Sequence, residues 1–226
     1  MEKKLPKGEL TRKHILDTAR KTFNEKGVNI TLDNLAKELN IPKGRITNHF
    51  ATKDKLFLAI LEDYEHGLAD LRVKLKDLYE CRKLSDIIVI ISEVMDLQFE
   101  YRCAILFLAV LSPGQEEFRV KTRQSRAMND KVIRQRMGNM VKHGQVDARV
   151  LEEEQFQLFL FIYFNTLSQW VIYYDMYDHD KDYTLMKPVY IKSIKEHVYG
   201  PYFTAKGKKQ WRETDLHELL NAGLGQ

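Results

Sequence analysis

The chain has 226 residues, 44% of them hydrophobic and 30% charged, with 11 glycines and 5 prolines. That mix belongs to a folded protein rather than a disordered or fibrous one, and the length suits one small domain plus a larger one, or a single large helical body. The net charge of +4 is unevenly spread: residues 1–60 carry 13 Lys and Arg against 7 Asp and Glu, residues 61–226 carry 23 against 25. A basic N-terminal part on a slightly acidic body favours a polyanionic partner at that end. Two cysteines, Cys81 and Cys103, support neither a disulfide framework nor a zinc site. The segment from Met1 to Pro6 has no apolar stretch for a signal peptide. The apolar runs Ile87–Ile91, Ala104–Leu111 and Leu158–Phe164 fall far short of the ~18 residues of a membrane span. They read as core helices, and the cytoplasm is the expected location.

Helical spacing dominates and no strand alternation stands out. A first helix is expected from Thr11, with Ile15, Ala19 and Phe23 at i, i+4, i+8 and Gly27 as its stop. Thr31 can cap a second helix, because its hydroxyl can accept from an orphan amide of the first turn. Asp33 complements the positive helix end, and Ile30 and Leu35 are spaced as a hydrophobic staple. Leu32, Leu35, Ala36 and Leu39 form the inner face, and Asn40 suits a left-handed turn residue. A short third helix is expected over Pro42–Phe50, with Ile46 and Phe50 inward and Arg45, Thr47, Asn48 and His49 on the other side. Thr52 can cap a long fourth helix over Lys53–Glu80, with Leu61, Leu68, Leu71, Leu75 and Leu78 as its stripe. Further helices are expected near 85–101, 103–111, 115–143, 151–177 and 186–199, with a break at Ser112-Pro113-Gly114 and a short last helix over 208–222.

The unit at 31–50 carries the chemistry. The second helix of a helix-turn-helix enters a major groove about 12 Å wide. Its inner residues anchor it, and its outer residues must be donors and short polar groups. Arg45 can make a bidentate contact to guanine, Asn48 can address adenine, and Thr47 and His49 lie beside them. Lys43, Lys53 and Lys55 flank the helix and suit phosphates. Gly44 inside the helix costs roughly 1 kcal/mol relative to alanine, which close helix packing and close approach to DNA explain equally well. Lys3, Lys4 and Lys7 have the charge for a minor-groove arm, but a solvated disordered tail is the better reading of them.

The run Thr11-Arg12-Lys13-His14-Ile15-Leu16-Asp17-Thr18-Ala19, then Phe23, Gly27, Thr31, Leu35-Ala36, and the stretch from Lys43 to Leu56 (KGRITNHFATKDKL) resemble the DNA-binding domain of the TetR family over about residues 9–69. The resemblance implies an all-α fold: a three-helix DNA-binding domain at 9–69, with its helix-turn-helix at 32–51, and a helical ligand-binding and dimerisation domain at 70–226. It also implies a homodimer on a palindromic operator in double-stranded DNA, Thr31 among the DNA-contacting residues, and a repressor released when a small molecule shifts the fourth helix. Three positions depart from the family pattern: Asn40 for a turn glycine, Pro42 for a capping Ser or Thr, and Thr47 for a backbone-contacting tyrosine.

Other constellations are weaker. Asp178, Asp180 and Asp182 alternate as in a calcium loop, but Tyr183 and Val189 stand where glycine and glutamate are needed. No histidine pair has metal-ligand spacing, and no nucleophile or phosphate-loop motif appears, so neither cofactor, metal nor enzyme activity is expected. The basic run Arg119, Lys121, Arg123, Arg126, Lys131, Arg134 and Arg136 reads as the solvated face of an amphipathic helix. Segment 156–174 is apolar around most of its circumference and must be covered on several faces. Phe164, Trp170 and Tyr173 are candidates for a two-fold interface. Met95, Phe99, Cys103, Phe107, Phe159 and Tyr163 are candidates for a pocket taking a neutral, largely apolar or aromatic effector, with plain core packing as the alternative for each. The functional expectation is a sequence-specific, ligand-responsive repressor. The alternative is a DNA-tethered module whose body binds a protein.

Overall fold

A computed structural model of the chain describes residues 6–110 and 115–222. Every regular element among them is helical, and a single isolated bridge joins Val146 to Phe203. The described residues fall into two compact units, one within Met1–Gly67 and Gln98–Phe118, the other within Leu68–Leu97 and Arg119–Gln226. The break expected at Ser112-Pro113-Gly114 and the tail residues Lys3 and Lys4 lie outside the described residues.

In the first unit, helix α1 (Lys7–Lys26) begins four residues before the expected Thr11. Nothing from Lys7 to Leu10 opposes a helix, and Glu9 sits where the first turn favours negative charge. Thr11 does not cap; its hydroxyl donates to the Lys7 carbonyl at 3.0 Å. Helices α2 (Leu32–Glu38) and α3 (Lys43–Thr47) follow, then α4 (Lys53–Lys74), whose start carries a bond from the Lys55 amide to Thr52 Oγ1 at 3.2 Å. Ile15, Ala19, Phe23, Leu35 and Ile46 are buried as the sequence pattern requires. Of the stripe expected on α4, Leu61 and Leu75 are buried and Leu68, Leu71 and Leu78 half-buried, and Leu56 and Ile60 are buried as well.

A column of rings completes this core. Phe23 stacks on Phe57 at 4.5 Å, Phe57 on Phe107 at 4.0 Å, and Phe107 meets Phe118 at 5.4 Å. Phe107 belongs to α6 (Arg102–Ala109). Asn24 of α1 fixes the entry to that helix: its Nδ2 donates to the Glu100 carbonyl at 2.7 Å and its Oδ1 accepts from the Cys103 amide at 2.9 Å. Arg20 also donates to the Glu100 carboxylate. These bonds recruit the stretch 98–118 into the unit, although it lies far from α1 in sequence.

The second unit contains α8 (Glu153–Tyr173), α9 (Tyr183–Ile194), α10 (Ala205–Glu213) and α11 (Leu216–Ala222), together with parts of α5 (Leu84–Glu100) and α7 (Glu116–Lys142). Helix α4 is shorter than expected, and a 3₁₀ turn at Lys76–Glu80 leads to Cys81, buried with a left-handed φ of 46°. The α8 and α9 segments each run on into a wider π-type turn, at Tyr174–Asp178 and Lys195–Tyr199. The expected 208–222 helix is two helices, because Thr214 and Asp215 interrupt it and Asp215 accepts from the His217 amide at 2.8 Å. The alternating aspartates have local partners: Asp182 accepts from the Thr184 amide at the start of α9, and Asp178 accepts from Lys181 and Tyr190.

The basic run on α7 is a correction. Arg136 is 5% exposed, and Arg126 and Arg134 lie over the rings of Phe164 and Phe156 at 3.6 and 3.9 Å. A seven-residue charge series along 27 residues of helix sweeps around the helix, so part of it must meet the core.

Candidate nucleic-acid interface

The turn between α2 and α3 follows from three local devices. Thr31 Oγ1 accepts from the Asn34 amide at 3.2 Å and starts α2. Asn40 takes a left-handed φ of 52°, which reverses the chain, and the Ile41 amide returns to the Ala36 carbonyl at 3.0 Å. Pro42 then begins α3 in extended conformation with no side-chain cap, as its chemistry dictates. The helix is shorter than the expected Pro42–Phe50, ending at Thr47, but Ile46 and Phe50 still anchor it in the core.

That anchoring fixes what faces outward. Thr31, Lys43, Gly44, Arg45, Asn48 and Lys55 are exposed, and Thr47, His49 and Lys53 are half-exposed. Arg45 makes no intramolecular hydrogen bond or ion pair among the described residues, so its five donors remain available. Thr47 donates its hydroxyl back to the Gly44 carbonyl at 3.2 Å. Gly44 has open space where a Cβ would stand, so helix packing does not require glycine there. Lys43 pairs with Asp33 at 2.8 Å and Lys55 with Glu117 at 2.6 Å, both at the surface. Lys53 lies against Phe23 and Phe57, with Nζ 5.9 and 5.8 Å from the ring centroids, and this burial lowers its pKa. Phe50 is sealed from the other side by Arg12, 5.0 Å from its ring. A short helix with donors outward and an apolar anchor inward can present side chains to base edges, with cations at its flanks for phosphates.

The candidate effector residues divide between the two units. Phe99, Cys103 and Phe107 belong to the first unit, where Cys103 and Phe107 are buried in its core. Met95, Phe159 and Tyr163 belong to the second unit and are buried there. Phe159 packs against Tyr163, Tyr199 and Tyr202 at 5.7, 5.5 and 5.9 Å. A cleft of about 30 Å³ in the second unit, lined by Val89, Ser92, Asp96, Lys187, Leu219 and Leu220, has room for about one water, far below a ligand-sized pocket.

The candidate dimer residues also separate. Trp170 is core, at 5.7 and 5.6 Å from Tyr183 and Tyr190, and Phe164 is half-buried under Arg126. Tyr173 is exposed and meets Tyr177 at 4.9 Å. Leu158, Phe161, Ile162, Met176, Leu185 and Val189 are exposed too, so the run Leu158–Phe164, expected to be core, turns part of its apolar surface outward. The i, i+3, i+4 spacing of 158, 161 and 162 was the available signal, masked by the apolar residues on the other faces of the same helix.

Residues 15–60 match the family described as bacterial regulatory proteins, tetR family. The HTH-type transcriptional regulator AcrR of Shigella flexneri is 33% identical over 86 residues, 38% of each chain, so the match spans well under half of that relative. A TetR-family transcriptional regulator from Marinobacter aquaeolei VT8 shares the fold with a TM-score of 0.72 at 21% identity, covering 90% of this chain and 96% of that one. SmeT, solved as a complex with triclosan, aligns with a TM-score of 0.55 at 16% identity, covering 87% and 93%.

Proposed function

We propose, from the premise that the N-terminal domain of this chain is a TetR-family DNA-binding domain, that the protein is a sequence-specific transcriptional regulator that binds a palindromic operator as a homodimer and is released from it by a small molecule. The observation that carries the reading is the outer face of α3, where Arg45 and Asn48 stand exposed on a helix pinned from beneath by Ile46 and Phe50. In this reading Arg45, Thr47, Asn48 and His49 address base edges, and Thr31, Lys43, Gly44, Lys53 and Lys55 the backbone.

The remaining parts support it. The exposed apolar side chains of α8 and α9, Phe161, Ile162, Tyr173, Leu185 and Val189 among them, gain free energy when a second copy covers them. A two-fold pair also matches half-sites one DNA turn apart, about 34 Å. SmeT binds triclosan, and by analogy the second unit here is the place for an effector with an aromatic or apolar body. A ligand that prefers the DNA-incompetent arrangement lowers operator affinity, and operator DNA lowers ligand affinity by the same factor. This is binding chemistry rather than catalysis, and the proposed site of action is the cytoplasm; among the described residues no helix is long and apolar enough to cross a membrane.

Selection from a random duplex pool with the full chain tests the reading. Enrichment of one two-fold symmetric sequence supports it. A pool that stays random after several rounds rejects sequence-specific regulation and leaves the protein-binding module as the better account.

A further inference from the structure

The most unusual group in the second unit is a buried positive charge without a negative one. Arg136 of α7 is 5% exposed. Its Nη2 donates to the Tyr163 hydroxyl at 3.1 Å, its guanidinium lies 5.5 Å from the Tyr79 ring, and its Nε is buried with no partner. Among the described residues no carboxylate forms an ion pair with it. What surrounds it is phenolic. Burial pushes the Tyr199 hydroxyl well above its ordinary range and raises that of Tyr79, so both stay neutral and neither offers a counter-charge. A guanidinium does not deprotonate in a protein. An unpaired buried ion costs several kcal/mol, and packed apolar residues in its place usually do better.

We propose that Arg136 is the anchor of an anion-binding site, taking the carboxylate of a small monoanionic ligand, with the Tyr163 hydroxyl as a second donor and Tyr79, Phe159 and Met140 against the ligand's apolar or aromatic body. Met140 and Phe159 are fully buried, Met140 one helical turn from Arg136 and Phe159 stacked on Tyr163 at 5.7 Å. One guanidinium balances one negative charge; a phosphate dianion would leave an uncompensated charge in the same apolar surroundings. The planar fork of arginine matches a carboxylate through two parallel bonds, for which the orphan Nε is one donor. The inference rests on the second unit being the effector-binding part, and it replaces the wholly neutral effector expected from sequence with an apolar body bearing one acid group. The buried rings around Arg136 must part to admit such a ligand, a minor conformation made dominant by binding.

The test uses the full-length protein with benzoate, indole-3-acetate, octanoate and decanoate, each beside its primary amide. At least one acid is expected to raise the thermal midpoint while its amide does not. In Arg136→Met, the affinity of that acid is expected to fall at least about 10-fold, as for loss of a charge-assisted contact, with the ligand-free midpoint held or raised. If Arg136→Met does not fold, Arg136→Lys and Tyr163→Phe carry the same test, each weakening the acid's binding. Acids and amides acting alike, an acid shift that survives in the Arg136 variants, or no shift from any acid would each overturn the proposal. Operator binding by fluorescence anisotropy separates this inference from the function it rests on. Acids that bind through Arg136 without releasing DNA keep the anion site and reject the switch. Amides that bind and release DNA where acids do neither keep the switch and reject the anion site.

Discussion

Lys43 Nζ lies 2.8 Å from Asp33 Oδ2, so the first residue of α3 is tied to the first turn of α2 by an exposed ion pair. Such pairs contribute about 0–1 kcal/mol and are screened by salt. The pair also holds a cation that a phosphate would otherwise attract. Asp33→Asn is expected to lower stability by no more than about 1 kcal/mol, part of it from the lost charge at the α2 N-terminus. The same change should raise affinity for random duplex DNA, with a steeper salt dependence. Titrations between 50 and 200 mM salt check both.

Gly44 separates folding from binding. Its neighbourhood is open, so Gly44→Ala should raise stability by up to about 1 kcal/mol through helix propensity alone. If the α3 backbone approaches DNA at this point, the added methyl group weakens operator binding while the melting temperature rises. A variant that is both more stable and fully active would remove Gly44 from the interface.

Lys53 and Lys55 should behave differently although both suit phosphates. Lys53 rests on Phe23 and Phe57, and Lys53→Ala loses that cover, about 0.5–1 kcal/mol of stability, as well as a DNA contact. Lys55 pairs only with Glu117 at the surface, so Lys55→Ala should leave stability nearly unchanged. Each variant should lower the salt slope of DNA binding by about one. Paired melts and anisotropy titrations distinguish the two.

The apolar face of α8 predicts a clean contrast with its core. Phe161→Asp, at an exposed position, should leave the fold intact and shift the protein to monomer in sedimentation. Trp170→Ala empties a buried site and should cost about 3–5 kcal/mol. A Phe161→Asp variant that stays dimeric would place the contact elsewhere.

Cys81 and Cys103 are buried, and burial pushes each thiol up to about 12 from an ordinary value of 9.0. The reactive thiolate is therefore scarce at pH 8, and both should resist alkylation until the chain unfolds. The thiols favour the fold while neutral, so their contribution is present below pH 9 and is lost as pH rises from 9 toward 12. Rapid labelling of the native protein would contradict the burial.

The N-terminal helices were legible because local rules govern them. The Thr31 cap, the left-handed Asn40 and the inward pair Ile46 and Phe50 each follow from a residue's own chemistry and its spacing, and each is found. The ring column from Phe23 to Phe118 was not legible, because Phe57 and Phe107 meet through packing between helices distant in sequence. Trp170 reads the same as Phe161 in a helix apolar on most sides; only the arrangement of its neighbours decides which is core. Arg136 inverts the usual rule that charge marks the outer face; the helical spacing of the basic run shows that some member must turn inward, but not that Arg136 is the one.

The central claim is that α3 reads DNA sequence through Arg45. The most direct test is anisotropy of wild type and Arg45→Ala on the selected operator and on random duplex DNA at one salt concentration. The prediction is a loss of about 1–3 kcal/mol on the operator, roughly 5- to 150-fold, and little change on random DNA. Equal losses on both would show that Arg45 holds only the backbone and would contradict the claim.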